Sequence, residues 1–200
     1  MRSRLNAIDL GLGFESRVAS ETGLTTGETN ESALAALVEG ARSGDRSAFG
    51  RLYERFAPMV HGILLARVRP ADADDLTQEV FLSAMQRLKD LRDTRAFGGW
   101  IAAIARNAAV DHYRRTPPTT ELPTTLGAPA APAAEAEEAL RLIHELPEAY
   151  RETLILRLVE GMTGPEIALR TGLGAGSVRV NLHRGMKLLR ERMYGSSTDA

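Results

Sequence analysis

The pattern of hydrophobic and polar positions predicts an all-α protein from about residue 31 onward. Apolar residues recur three and four positions apart, as on one face of a helix, in two successive groups: Leu34, Leu37 and Val38, then Phe49, Leu52, Tyr53 and Phe56. Pro58 and Pro70 are predicted to interrupt the helices, and further helices are expected over about 72–90 and 97–115. We find no run that demands a strand.

A proline-rich segment divides the helical chain. Residues 116–134 read TPPTTELPTTLGAPAAPAA and hold five of the nine prolines. Such a stretch has no apolar face, and its prolines oppose helix formation. The chain is therefore predicted to form two small helical domains, 31–115 and 135–195, joined by a flexible linker over 116–134. Residues 1–30 are rich in Gly, Ser and Thr without sustained periodicity, so they are expected to be a disordered N-terminal extension.

Residues 162–192 carry the strongest local signal, that of a helix-turn-helix. Thr163 can cap a helix, and Glu166 follows three residues later, which is the spacing of a capping box. Gly172 permits the positive φ of a tight turn between two helices. An ordinary helical hairpin is the less favoured alternative.

The second helix of this motif is predicted to present a basic face. Val178 and Leu182 would anchor it in the core, and residues 176–192 hold five basic residues and one acid. A face of this kind can enter a major groove and contact base edges and phosphates. Its candidate DNA-binding residues are Ser177, Arg179, Val180, His183, Arg184 and Lys187.

The predicted helix from Asp72 to Leu88 has one buried and one acidic side. Its buried stripe is expected to be Leu76, Val80, Ala84 and Leu88. The opposite face would hold Asp75, Gln78, Glu79, Leu82 and Gln86. A leucine exposed among acids and amides suits a protein interface. A solvated acidic face near a helix N-terminus is the alternative, and spacing alone favours it.

The predicted helix from Phe97 to Arg115 could handle nucleic acid. Ile101, Ile104, Ala105 and Ala108 form its apolar face. The other side gathers Arg106, Val110, Tyr113 and Arg114, with Asn107 at its edge. Arginines bind phosphates, while an aromatic ring and an amide can stack on and hydrogen-bond an exposed base. Without further context this helix is only a candidate.

Composition narrows the class of protein. The absence of cysteine excludes disulfides, thiolate metal sites and cysteine nucleophiles. The sequence has no run of 18 apolar residues and no secretory signal, so we expect a cytoplasmic protein without a membrane span. Four scattered histidines and a GLGAG run that follows a helix suggest neither an enzyme nor a cofactor site.

Taken together and in this order, four segments resemble the sigma-70 family of RNA polymerase sigma factors, specifically its extracytoplasmic-function group. They are DRSAFGRLYERFAPMVHGI from Asp45, DADDLTQEVFLSAMQRL from Asp72, WIAAIARNAAVDHYRR from Trp100, and LPEAYRETLILRLVEGMTGPEIALRTGLGAGSVRVNLHRGMKLLRE from Leu146. The resemblance covers about 31–115 and 135–193, and it implies sigma region 2 followed by sigma region 4.

The resemblance implies a role for each surface. Asp75, Gln78 and Glu79, with Leu82 beside them, would contact core RNA polymerase. Residues 93–97 and the helix bearing Arg106, Asn107, Val110, Tyr113 and Arg114 would handle the melted −10 strand. Ser177, Arg179, Val180, His183, Arg184 and Lys187 would bind the −35 duplex. The family implies partners of three kinds: core polymerase, promoter DNA and an anti-sigma protein.

The sequence departs from the family pattern on the last helix. Val180 and Asn181 stand where Ser and Arg are common, and Gly185 replaces a usual alanine. These departures concern which −35 sequence is preferred. The runner-up function is a stand-alone helix-turn-helix transcriptional regulator, which would leave the acidic face without a role.

Overall fold

A computed structural model describes residues 23–115 and 131–195. The described residues form eight α-helices, and no strand occurs among them. In chain order these are α1 (Gly23–Arg42), α2 (Arg46–Leu65), α3 (Pro70–Arg87), α4 (Phe97–Arg115), α5 (Ala131–His144), α6 (Glu148–Leu158), α7 (Gly164–Thr171) and α8 (Ala175–Gly195). Two short 3₁₀ turns, Leu88–Asp90 and Thr94–Ala96, connect α3 to α4. The predicted all-α fold class is confirmed.

The N-terminal half is built from α1 to α4 around an apolar core. Asp45 caps α2 by accepting hydrogen bonds from the backbone N–H groups of Ser47 and Ala48, which satisfies donors that the first turn leaves free. The predicted buried stripe of α3 is confirmed, since Leu76, Val80, Ala84 and Leu88 are all buried. That burial leaves the acidic side of α3 facing outward.

Pro58 does not interrupt the helix, contrary to the prediction. It lies inside α2, with Met59, Val60 and Ile63 buried on the turns that follow. Proline removes one helical hydrogen bond and crowds the preceding turn, but burial of the flanking apolar side chains offsets that cost. Pro70 behaves as expected, because it occupies the first turn of α3, where a missing N–H costs nothing.

Two helices begin earlier than the domain boundaries predicted. Helix α1 begins at Gly23, inside the extension predicted to be disordered, and α5 begins at Ala131, inside the predicted linker. Extending an existing helix adds a hydrogen bond for each residue fixed, so helices extend beyond the apolar pattern that anchors them. Residues 1–22 and 116–130 lie outside the described part of the chain.

The C-terminal half contains the predicted helix-turn-helix, α7 and α8. Thr163 accepts a hydrogen bond from the Glu166 N–H, and the Glu166 carboxylate accepts one from the Thr163 N–H, which completes the capping box. Gly172 ends α7 with φ of 74°. Val178 is buried, and Leu182 is partly buried against the same core. These features confirm the local motif predicted from the sequence.

Within the described residues, no helix is both long and apolar enough to cross a membrane.

The left-handed backbone at Gly172 gives a stability prediction. We expect Gly172→Ala to lower the free energy of unfolding by about 1–2 kcal/mol, because a Cβ at φ of 74° crowds the following carbonyl. Urea denaturation followed by circular dichroism measures the change.

Gly176→Ala is the matched control. Gly176 lies in the first turn of α8, and an added Cβ would meet nothing within 4 Å. Alanine favours helix over glycine by about 0.5–1 kcal/mol, so this variant should be as stable as the parent or more so. Equal stability of the two variants would contradict the role assigned to Gly172.

Candidate functional site

The acidic face of α3, formed by Asp75, Gln78, Glu79 and Leu82, is exposed as the sequence predicts. All four side chains lie at the surface, and Leu82 is 62% exposed. Because the opposite side of α3 is buried in the core, the orientation of the helix is fixed and this face points outward. The face therefore combines negative charge with apolar area, which is a combination suited to a protein partner.

Met85 extends this face and was missed by the sequence analysis. It is 54% exposed and follows Leu82 by three residues, so the two apolar side chains are neighbours on the helix. The signal was present in the sequence, since Met85 lies outside the buried stripe of α3. A flexible thioether beside a leucine enlarges the apolar centre of the acidic face.

The candidate −10 residues all lie on α4, but they differ in their exposure and in their partners. Asn107, Val110, Tyr113 and Arg114 are exposed, with Val110 at 48% and Tyr113 at 59%. Arg114 lies near the Asp111 carboxylate at 3.8 Å, an exposed pair that contributes little energy. An exposed aromatic ring and an amide on one helix can stack on and hydrogen-bond a base.

Arg106 is bound to the protein itself. Its Nε and Nη2 donate to the two carboxylate oxygens of Glu152 on α6, at 3.1 and 2.7 Å. This bidentate geometry is the strongest arginine–carboxylate arrangement. The guanidinium thus links the two halves of the chain. Arg106 was predicted to bind DNA, and nothing in the sequence around it indicates a pairing with Glu152, 46 positions away.

Glu152 is a buried carboxylate between two arginines. Its side chain is 6% exposed, and Arg67 Nη2, just after α2, lies 2.8 Å from its Oε2. Burial is the largest effect on the pKa of Glu152 and raises it, but the hydrogen bonds and charges of Arg106 and Arg67 together lower the pKa below its usual value. The carboxylate is therefore ionised and joins α6 to both α2 and α4.

A pair formed by His61 and Glu160 makes a second contact between the N-terminal and C-terminal halves. His61 on α2 hydrogen-bonds the Glu160 carboxylate at 2.9 Å, and Asp74 on α3 lies 3.7 Å away. The hydrogen bond to Glu160 raises the pKa of His61, with burial opposing it and the charges of Glu160 and Asp74 assisting. His144 on α5 has the opposite tendency, since burial lowers its pKa.

The candidate −35 residues form one uncovered face on α8. Ser177, Arg179, Val180, His183, Arg184 and Lys187 are all exposed. Val178, on the opposite side, is 1% exposed and fixes the rotation of the helix against α7. The arrangement leaves a basic, convex helix surface of the width that a major groove accepts.

Helix packing explains why position 185 is a glycine. A Cβ at this position would lie 3.0–3.1 Å from Leu154 and Tyr150 of α6, which is tighter than ordinary contact. The glycine therefore lets α8 approach α6 closely, in the same turns of α8 that carry the candidate DNA-binding residues. This departure from the family pattern concerns how α8 is seated on α6, and Gly185 itself is buried away from the exposed face.

Two family models match the chain in the same order as its two halves. The model described as Sigma-70 region 2 matches residues 52–117, and the model described as Sigma-70, region 4 matches residues 136–189. The first contains α3 and α4 and the second contains α7 and most of α8. All candidate residues therefore fall within the matched segments.

Curated relatives extend the match along the chain. The ECF RNA polymerase sigma factor SigD of Mycobacterium tuberculosis is 35% identical over 180 residues, covering 82% of this chain and 85% of the relative. The RNA polymerase sigma factor CarQ of Myxococcus xanthus is 33% identical, covering 77% of this chain and 94% of the relative.

One solved structure supports the same fold. CnrH, in complex with the cytosolic domain of CnrY, superposes with a TM-score of 0.60 at 25% identity. The alignment covers 84% of this chain and 99% of that one.

The His61–Glu160 pair predicts a pH dependence. Because the folded pKa of His61 is raised above 6.5, protonated His61 stabilises the fold fully below about pH 6.5, and this contribution is lost as pH rises through the raised value. A proton NMR titration of the His61 ring measures the pKa, and unfolding of the parent and His61→Gln at several pH values measures the stability difference.

Glu160→Gln is the control for the cause. Removing the carboxylate should move the pKa of His61 downward, because the hydrogen bond to Glu160 is the largest contribution to its rise. An unchanged titration would show that the pair is not formed in solution.

Proposed function

The chain belongs to the extracytoplasmic-function group of the sigma-70 family, and we propose that three of its surfaces divide the work of a promoter-directing sigma factor. The factor binds core RNA polymerase and directs it to specific promoters. The alternative of a stand-alone regulator is not favoured, since both sigma regions match in order. What remains to be assigned is which side chains contact polymerase, the −10 strand and the −35 duplex.

The observation that carries the assignment is the separation of charge between two exposed faces. The acidic face of α3 carries Asp75 and Glu79, whereas the basic face of α8 carries Arg179, Arg184 and Lys187. DNA repels the first and attracts the second. The acidic face is therefore assigned to polymerase and the basic face to the −35 duplex.

The acidic face supports polymerase binding by its composition. Leu82 and Met85 supply desolvatable apolar area at its centre, and Asp75, Gln78 and Glu79 supply a polar rim. Interfaces concentrate binding energy in such central apolar residues. The rim charges steer encounter with a basic partner surface.

The α4 face is assigned to the melted −10 strand. Tyr113 offers a ring for stacking, Asn107 offers an amide for base hydrogen bonds, and Arg114 offers an exposed charge for phosphates. Arg106 is assigned to phosphates as well, although its guanidinium is bound to Glu152 in this structure. Val110 lies beside them as apolar surface. Holding an unstacked base offsets an unstacking cost of a few kcal/mol and stabilises the open promoter. This capture involves binding alone, so the factor performs no covalent chemistry.

The α8 face is assigned to the −35 duplex, with two classes of contact. Val180 and His183 lie opposite the buried Val178 and are assigned to base edges. Arg184 and Lys187 are assigned to phosphates, with Ser177 and Arg179 flanking them. Base-edge contacts determine sequence preference, while phosphate contacts position the protein.

A protein partner is also proposed. The related CnrH is in complex with the cytosolic domain of CnrY, and by analogy an anti-sigma protein would cover the polymerase-binding and DNA-binding faces of this chain. Since polymerase and promoter DNA are its working partners, the factor is assigned to the cytoplasm.

The polymerase assignment is tested by charge reversal. The double variant Gln78→Ala, Glu79→Lys should weaken binding to core polymerase about tenfold or more, equal to about 1.4 kcal/mol, because it replaces an acid that faces the partner with a base. Pull-down with core polymerase measures the affinity, and circular dichroism checks that helicity is retained.

Glu137→Lys provides the matched control, since Glu137 is an exposed acid on α5 outside the acidic face. It should bind core polymerase like the parent. Unchanged affinity of the double variant, or an equal loss in the control, would overturn the assignment.

The −35 assignment is tested by selecting promoters from a library randomised at −35. His183→Ala should change which sequences are enriched, because each base-edge contact carries about 1–3 kcal/mol of discrimination. Arg184→Ala should lower binding to all sequences by a similar factor and leave the preference intact.

Arg190→Ala serves as control, because Arg190 is an exposed arginine further along α8 that is not assigned to DNA. If His183→Ala lowers every sequence equally, His183 does not read bases and α8 docks in a different rotation.

A further inference from the structure

The connection between α3 and α4 contains a short loop held between two buried anchors. Leu91 and Phe97 are 6% and 0% exposed, and the Phe97 ring packs against Phe56 at 5.0 Å between ring centroids. Between the anchors lie residues 92–96, which we call the 92–96 loop, and all but Thr94 are exposed. The position of this loop therefore depends on how firmly its two anchors are held.

Asp93 orders the 92–96 loop from within. Its carboxylate accepts hydrogen bonds from the Arg95 backbone N–H at 3.0 Å and from the Arg95 Nε at 3.2 Å. Its carbonyl oxygen accepts a further bond from the Ala96 N–H at 3.0 Å. These bonds fix the loop residues relative to one another, but they do not fix the loop relative to the helices around it.

Arg42, the last residue of α1, binds the first anchor of the loop. Its Nη2 donates to the Leu91 carbonyl oxygen, across 49 positions of the chain. Its Nη1 donates to the Glu39 carboxylate at 2.8 Å, one turn earlier on α1, which orients the guanidinium. Because the Leu91 N–H is already bound to the Leu88 carbonyl, Arg42 completes the hydrogen bonding of this anchor with a charged donor, which binds more strongly than a neutral one.

The placement of Arg42 has a cost to the fold. Its side chain is 24% exposed, and within the described residues its Nε is buried without a hydrogen-bond partner. A buried donor that lacks an acceptor destabilises the folded state, and an apolar side chain such as methionine would fill similar space without that cost. The placement therefore favours a role in positioning the loop over a role in stability alone.

The 92–96 loop lies at the N-terminal end of the exposed stripe of α4. The exposed positions of this stripe recur three or four residues apart, and they are Ala103, Asn107, Val110 and Arg114. Seven residues, or two helical turns, before Ala103 stands Ala96, the exposed last residue of the loop. Ala96 and Asn107 are thus separated by roughly 16 Å along one face. The loop and the stripe form one continuous surface on which a single DNA strand can lie.

We propose that Arg42 is a positioning residue for −10 recognition: by holding the Leu91 carbonyl, it fixes the 92–96 loop at the end of the α4 stripe, where the loop contacts the melted strand. The proposal rests on the assigned role of α4 in −10 binding. Arg42 itself is assigned no contact with DNA, and it lies outside the segment that the region 2 family model matches, which begins at residue 52. Binding groups on a loop are precise only when supporting residues hold the loop in place.

Arg42→Met is the test variant, because methionine keeps an unbranched apolar side chain and removes both donors. Amide hydrogen exchange measured by NMR reports whether the loop is released. Exchange of the Ala96 amide should accelerate about tenfold, since the loop opens more often once its anchor is no longer held. Exchange of the Ile167 amide, which donates to the Thr163 carbonyl at the start of α7, should match the parent.

The functional readout is the selection of promoters by holoenzyme from a library randomised in the −10 element. Arg42→Met should reduce the enrichment of preferred over disfavoured −10 sequences about five- to tenfold, because a loop that is not preorganised makes weaker base contacts. A second library, randomised at −35, should return the preference of the parent, since α8 is unchanged. A merely structural role would lower transcription from every promoter by one factor and leave the −10 preference intact.

Arg46→Met is the matched control. Arg46 is an exposed arginine in the first turn of α2, so this variant removes the same charge four residues away without changing the contact with Leu91. It should match the parent in loop exchange and in −10 preference. If Arg42→Met does not fold, Arg42→Lys is measured in the same way. Lysine keeps the charge and a donor for the Leu91 carbonyl, so it should shift the −10 preference in the same direction by a smaller factor.

Two results overturn the proposal while leaving the proposed function intact. One is a parent-like −10 preference in the folded Arg42 variants, or an equal shift in Arg46→Met. The other is faster exchange at Ala96 without any change in −10 preference, because the loop would then not contact the strand. If the parent holoenzyme itself selects no −10 sequence, the proposed function fails, and the role of Arg42 fails with it.

Discussion

A carboxylate removed from water stays charged only where cations replace its hydration, and the relation between the two halves of this protein depends on one such group. Glu152 is lowered in pKa by Arg106 and Arg67 despite a burial effect that opposes ionisation. Those two arginines come from different places on the N-terminal half, after α2 and on α4. One acid on α6 therefore links the C-terminal half to two separate elements of the N-terminal half.

Local features were predictable because their causes are local. The capping box at Thr163 and the turn at Gly172 follow from residues within ten positions of one another, and the structure shows both. The buried stripe of α3 follows from helical periodicity, and the same periodicity placed Leu82 outside it. For the α8 face, the exposure of its six residues could be predicted from Val178 and Leu182 alone.

Features that depend on tertiary contacts could not be predicted in this way. Proline disfavours a helix interior, so Pro58 was predicted to interrupt the helix. Burial of neighbours such as Ile63 offsets that cost, and α2 is continuous. Glu152 looks like any surface acid, since it stands between Arg151 and Thr153 in the sequence and its partners Arg67 and Arg106 lie 85 and 46 positions away. Gly185 departs from the family pattern for a similar reason, which is the approach of Leu154 from another helix.

The exposed α8 face has a consequence for how the free factor binds duplex DNA. Arg106 is held by Glu152 while Arg179, Arg184 and Lys187 remain at the surface, so this arrangement offers DNA one arginine fewer than the assigned faces contain. Fewer phosphates contacted means fewer condensed counterions released, and hence weaker, less salt-sensitive attachment.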